Sequence, residues 1–359
     1  MKYLLLFCFS FISLLSLAQN KELNIFRITS SHTSFPDTAR AKGHIYNKIL
    51  YDAATHYSDS SVLIIAPEKL DASKKVDLIF WFHGWGNNID TAVQYFELAN
   101  QFAVAGLNAV LVLAETTKNA PDSYGGKLEY SNMFKELVTD VILELKKEKS
   151  ISKKCEPGNI LLAGHSGAYR VMAYILQEGN MPVQEVLLFD ALYGQTDKYM
   201  NWVQSDRGHR FIDIYTDGGG TDGESKEMVK QLTKLNIRTD TIEEKELTAG
   251  LVQAQEILFI HSLHKHNNII NKPDNFQLFL ENSPFLKKLS SSFSHWKVFF
   301  KKQQVVGACL PAAMFVLHQL HALKLSPFVF KNRYSVSVLK TKETLHSQNS
   351  YTTLKTSEP

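Results

Sequence analysis

Short runs of consecutive apolar residues alternate along this chain with longer stretches whose apolar residues recur every three or four positions. The runs SVLIIAP (61–67), VDLIFWFHG (76–84), NAVLVLAE (108–115), NILLAG (159–164), VQEVLLFD (183–190), HRFIDIYTD (209–217) and AQEILFIHS (254–262) predict strands. The run 76–84 is apolar at successive positions rather than at every second one, as a strand covered on both faces is. The stretches 91–106, 131–150, 168–179, 225–236 and 275–289 have helical spacing. Gly106 closes the first, and Ser131 stands in N-cap position for the second. Strands joined through helices need crossover connections. Crossovers build an α/β fold, a mostly parallel central sheet with helices on both faces. No internal repeat and no Gly/Ser linker interrupts 61–289, so that span is expected to be one α/β domain. Residues 19–60, polar and irregular over 24–60, are expected to pack on it as an N-terminal segment.

The two ends depart from this pattern. MKYLLLFCFSFISLLSLAQN starts with Lys2, runs mostly apolar from Leu4 to Leu17, and reaches small residues around Ser16-Leu17-Ala18. This is the layout of a cleavable secretory signal over 1–18, and the run is short for a membrane span. It predicts a secreted or periplasmic protein. At the other end, 290–359 does not continue the alternation and is expected to be a tail outside the core. Its apolar run QVVGACLPAAMFVLHQLHALKL (304–325) carries Pro311, His318 and His321, which suit a membrane span poorly. Residues 284–359 hold eleven Lys and Arg against two Asp and Glu, a charge of +9, so the rest of a chain of net +3 carries −6. Beyond the signal the chain keeps only Cys155 and Cys309, far apart, so there is no disulfide framework and stability must come from the core.

The sharpest local feature is Gly164-His165-Ser166-Gly167-Ala168, a break between a predicted strand and a predicted helix. Ligands of an open parallel sheet bind at the carboxyl ends of its strands, where Ser166 falls. The stretch fits Gly-x-Ser-x-Gly with Ala in the last place. In that pattern the serine occupies a strained turn, and its neighbours two away are small so that strand and helix pack closely. A second glycine-rich turn, His83-Gly84-Trp85-Gly86, ends an earlier strand. Together these stretches resemble the α/β-hydrolase superfamily, and the resemblance covers about 61–289. It implies an exported, esterase-like serine hydrolase. It further implies that the backbone N–H groups of Trp85 and Gly167 form the oxyanion hole.

A serine hydroxyl needs a base, and the base needs an orienting acid. The family's base follows the last strand, where His261, His264 and His266 lie in EILFIHSLHKHNNII; His266, on the loop beyond the strand, fits best. The three could instead bind a metal, but no Cys or carboxylate cluster in the sequence supports that, so no metal is expected. For the acid, most α/β hydrolases use the later position, Asp217 here, and lipase-like members an earlier Asp-small pair, Asp190-Ala191 here. An Asp after Leu187-Leu188-Phe189 is costly to bury without a strong partner, which favours Asp190, with Asp217 and Asp222 as alternatives. Each choice keeps the Ser–Asp–His chain order of this fold. His83, Asp122, Tyr124 and Tyr193 fall on turns at strand ends and are candidate substrate contacts.

The expectation is hydrolysis of an ester, less readily an amide, through Ser166, His266 and Asp190 and an acyl-enzyme. The substrate would be a small molecule or an ester linked to a glycan or peptide. No Gly-x-Gly-x-x-Gly follows a strand and no P-loop lysine is present, so no cofactor is expected. No basic-aromatic motif for nucleic acid occurs in the main body. The alternatives are a catalytically inactive binding protein of the same fold, and membrane contact through the basic tail.

Overall fold

The continuous apolar runs form strands because helices cover both faces of the sheet. The computed structural model describes residues 23–289. The signal-peptide reading of 1–18 and the tail at 290–359 lie outside the described residues. In chain order the elements are β1 (Leu23–Thr29), β2 (His44–Tyr46), β3 (Ile49–Tyr51), α1 (Ala53–His56), β4 (Ser61–Pro67), β5 (Lys75–Phe82), α2 (Ile89–Tyr95), α3 (Leu98–Ala105), β6 (Ala109–Ala114), α4 (Met133–Lys147), β7 (Glu156–His165), α5 (Tyr169–Glu178), β8 (Glu185–Phe189), α6 (Thr196–Ser205), β9 (Arg210–Thr216), α7 (Asp222–Lys234), β10 (Asp240–Glu243), α8 (Ala249–Ala254), β11 (Ile257–Ser262) and α9 (Asn275–Glu281).

Nine strands make one sheet in the order β1-β4-β6-β5-β7-β8-β9-β11-β10. The pairs β1–β4 and β4–β6 are antiparallel, and the strands from β6 to β10 run parallel. This is the mostly parallel α/β sheet expected. Successive residues of one strand enter opposite cores, as the pleat dictates. Leu78, Phe80 and Phe82 of β5 pack with Phe134, Leu137 and Val171 of α4 and α5. Ile79 and Trp81 pack with Phe96, Phe102 and Phe276 on the other face. The Trp81 ring lies 4.9 Å from Phe276 and 5.5 Å from Phe189. Among the described residues, no helix is long and apolar enough to cross a membrane.

The strand order creates the crevice. From β5 the chain crosses to β6 on one side, then returns to β7 on the other side of β5. The connections leaving the carboxyl ends of β5 and β7 therefore diverge, which opens a gap at the switch point.

Several boundaries differ from the sequence expectation. The segment 24–60 is not irregular throughout. LNIFRIT forms β1, an edge strand paired from Leu23↔Pro67 to Thr29↔Ser61. Its half-exposed position dilutes the apolar signal that marks the inner strands. The helix expected over 91–106 breaks at Phe96-Glu97, where Glu97 adopts φ +54 and caps α3. The closing helix ends at Glu281 instead of reaching 289, because Pro284 disfavours helical backbone at the preceding residue. The short elements β10 and α8 carry too few residues to announce themselves by periodicity, and α6 is not among the expected helices.

Candidate active site

Strand β7 ends at His165 and α5 begins at Tyr169, so the chain must reverse from strand to helix within three residues. Ser166 takes that corner with φ +56, a left-handed conformation that costs a non-glycine residue on the order of 1 kcal/mol. Close packing holds it there. A Cβ on Gly164 would lie 2.5 Å from the Met172 sulfur and 2.7 Å from the Ala168 Cβ. Strand and helix thus touch through the two small residues flanking Ser166, and Ala168 fits because its partner has no side chain. The hydroxyl stands at the N-terminal end of α5, where the helix dipole favours negative charge.

The turn after β5 closes the other wall. A Cβ on Gly84 would lie 2.6 Å from Ser166 Cβ and 3.0 Å from Gly167 N, so the backbone of His83-Gly84-Trp85 lies directly on the serine turn. Its anchor is His83, which is buried with Nδ1 2.9 Å from Gly84 O and Nε2 against Glu115 Oε1. Glu115 also accepts from the N–H of Ile89 at 3.2 Å and of Thr116 at 3.3 Å. The His83 side chain, placed among the substrate contacts from sequence, therefore braces the loop from inside. Trp85 lies over Gly167 and donates its indole N–H to Ser123 Oγ at 2.6 Å.

Of the three histidines after β11, His266 enters the crevice. Its Nδ1 is 2.7 Å from Asp190 Oδ2. His261 instead faces Asp217 (Nε2, 2.8 Å) and Glu243 (Nδ1, 3.0 Å), and His264 faces Glu244 at 3.7 Å. The three point at different carboxylates rather than at a common centre. Asp217 is exposed, and with Asp222 and His261 it forms a group whose ligand atoms lie within 4.8 Å of one another. Bonds from Asp217 and Glu243 raise the pKa of His261 despite partial burial. Asp222 pairs with Lys226 at 2.6 Å.

Asp190 is fully buried at φ +47, just past β8. Burial alone would push its pKa up. Hydrogen bonds from His266, Thr216 and Thr221 outweigh that and hold the carboxyl below the usual range. Thr216 donates its hydroxyl to Oδ2 at 2.6 Å and its N–H to Oδ1 at 3.2 Å, and the Thr221 hydroxyl also donates to Oδ1. The Gly218-Gly219-Gly220 loop lies on this carboxylate: a Cβ on Gly219 would sit 1.7 Å from Oδ2. Tyr193 clips the loop by donating to Gly219 O. Its ring is 6.4 Å from that of His266, and its phenol lies near the Ser166 side chain. Tyr193 is thus brought into the site.

Asp122 is engaged with the N-terminal segment. Its carboxylate accepts from Arg40 Nε at 2.7 Å, Tyr57 Oη at 3.3 Å and Tyr124 N at 2.9 Å. Tyr124 is occupied likewise, with Arg40 4.6 Å from its ring and Asp37 3.2 Å from its hydroxyl.

Sequence reasoning missed Thr216, Thr221 and His165. The first two end a strand and precede a helix, where a hydroxyl reads as an ordinary cap. His165 is buried, with its ring 4.4 Å from His266 and its Nε2 3.1 Å from His266 O. Burial first, and the neighbouring His266 second, push its pKa down to about 3, so it is neutral and donates to that carbonyl. The residue before Ser166 thereby fixes the backbone of His266.

The arrangement has a definite chemical capacity. Asp190 accepts from His266 Nδ1–H, which sets the tautomer and leaves Nε2 to take a proton. No protein-family model matches the chain, and a search of curated proteins finds no significant relative. Solved structures similar in shape include FphF, a fluorophosphonate-binding serine hydrolase of Staphylococcus aureus (11% identity, TM-score 0.42, covering 73% of this chain and 98% of that one). The feruloyl esterase module from Clostridium thermocellum is 12% identical at TM-score 0.48 over 76% of this chain and 92% of that one. An S-formylglutathione hydrolase from Agrobacterium tumefaciens is 11% identical at 0.43, over 74% and 96%. Sheet, helix layers and serine turn are together those of the α/β-hydrolase fold.

Proposed function

We propose that the protein is a serine hydrolase that cleaves an ester, and an amide less readily, through an acyl-enzyme. Ser166 Oγ attacks the carbonyl carbon while His266 Nε2 takes its proton. Asp190 stabilises the imidazolium that results. The Trp85 and Gly167 N–H groups receive the oxyanion. His266 returns the proton to the leaving oxygen, and water repeats the sequence to release the acid. One donor of this kind is worth about 3 kcal/mol of barrier. The observation that carries the reading is a serine at φ +56 at the sheet's switch point, together with a histidine bonded to a buried carboxylate at 2.7 Å. The reading includes export: residues 1–18 act as a signal, and the mature enzyme works in the periplasm or outside the cell.

The test is labelling by a fluorophosphonate probe, with hydrolysis of p-nitrophenyl acyl esters alongside. Wild type is expected to label and turn over, and Ser166→Ala to do neither. Equal labelling of the two proteins would discard the reading. N-terminal sequencing of protein recovered outside the cytoplasm tests export, with a start at Gln19 expected.

A further inference from the structure

The β2–β3 hairpin stands apart from the nine-stranded sheet as a sheet of its own. It turns at Asn47-Lys48, with φ +49 and +66, a two-residue turn matched to strand twist. Directly paired residues share a face. Ile45 pairs with Leu50, and Tyr46 pairs with Ile49. Both faces are apolar and in water: Ile45 is 67% exposed, Leu50 58% and Ile49 57%. Two strands alone are marginally stable, and clustered exposed apolar side chains mark a contact surface.

The patch runs on to the rim of the candidate active site. The Tyr46 ring stands edge-on to Trp85 at 5.4 Å, and Trp85, 47% exposed, covers Gly167. Charge indicates the partner. Between Asp37, which is buried, and Asp52, which caps α1, the chain carries Arg40, Lys42 and Lys48 and no Asp or Glu. Arg40 is held by Asp122, whereas Lys42 and Lys48 are exposed. An apolar tip fringed by ammonium groups suits a lipid surface with anionic headgroups, since the apolar groups enter the acyl layer while the lysines stay at phosphate level. A second copy docked tip to tip would instead set Lys48 against Lys48.

We propose that the 44–51 hairpin seats the protein on an anionic lipid surface with the Ser166 crevice at that surface. Lipid esters then become the substrate class, a consequence that rests on Ser166 being the nucleophile. The seating itself does not. It is tested with the full chain carrying Ser166→Ala, so that no lipid is consumed, sedimented with phosphatidylcholine vesicles containing phosphatidylglycerol in low and high salt. Adding Ile45→Ser and Leu50→Ser is expected to lower the bound fraction about tenfold in both. Equal binding with and without the serines overturns the proposal, whether the basic tail binds or nothing does. So does a loss of dimer on gel filtration with no change at vesicles. The same pair in the wild-type background is expected to keep its melting temperature and its p-nitrophenyl acetate hydrolysis. If wild type lacks that hydrolysis, the catalytic reading fails while the vesicle result stands. If the pair melts early, bromine-labelled lipid is expected to quench fluorescence of the intact protein but not of Trp85→Phe, and equal quenching overturns the proposal.

Discussion

Asp190 and Asp217 are both aspartates just past parallel strands, yet their surroundings give them different chemistry. Asp190 has lost all contact with water, and His266, Thr216 and Thr221 take its place. Asp217 stays exposed beside His261. Removing the charge at the first should leave His266 without its orienting acceptor. Asp190→Asn is therefore expected to lower kcat for a p-nitrophenyl ester by about 10³- to 10⁴-fold. Asp217→Asn is expected to leave kcat within about threefold. Steady-state kinetics on the two variants check this, and the reverse order would move the acid to Asp217.

At the scale of elements, the site depends on loops lying closer together than side chains allow. The loop between β9 and α7 passes over the Asp190 carboxylate at Gly219. A methyl group there must push the loop or the carboxylate away. Gly219→Ala is expected to lower kcat at least about tenfold with little change in KM, since a small displacement of positioned groups acts on the chemical step. Unchanged kcat would show that the loop yields without moving Asp190. Farther down the sheet, Arg210 of β9 pairs with Glu185 of β8 and bonds the carbonyls of Val252 and Gln255. Both charges are buried. Arg210→Ala leaves Glu185 without its counter-ion and is expected to cost about 3–5 kcal/mol in denaturant unfolding. The shortfall should be smaller in Arg210→Ala/Glu185→Gln, where no buried charge remains.

Across the whole molecule, Asp213 is among the buried groups that make stability depend on pH. Asp213 lies inside β9; its Oδ2 accepts from Ser225 at 2.6 Å, and its Oδ1 has no partner. Burial pushes its pKa up to about 7. The folded chain then holds a proton that the unfolded chain releases from about pH 4 upward, so folding loses stability as pH rises from about 4 to 7 and no further from this group above that. Asp213→Asn is expected to gain on wild type in melting temperature from pH 5 to pH 8. Parallel melting curves at the two pH values would mean that Asp213 keeps its charge. The alternation of apolar runs and helical spacing by itself determined the α/β class and the inner strands, because strands covered on both faces are built mostly from apolar residues. It also made Ser166 and the 83–86 turn legible, since a sharp reversal at a strand end demands small residues nearby. It favoured Asp190 among three aspartates and His266 among three histidines, and it did not show that His83 and Asp122 bond to Glu115 and Arg40. Only tertiary structure shows these contacts. Which of several carboxylates meets which imidazole depends on strand order and loop direction, and these bring Asp190 to His266 across 76 residues of chain.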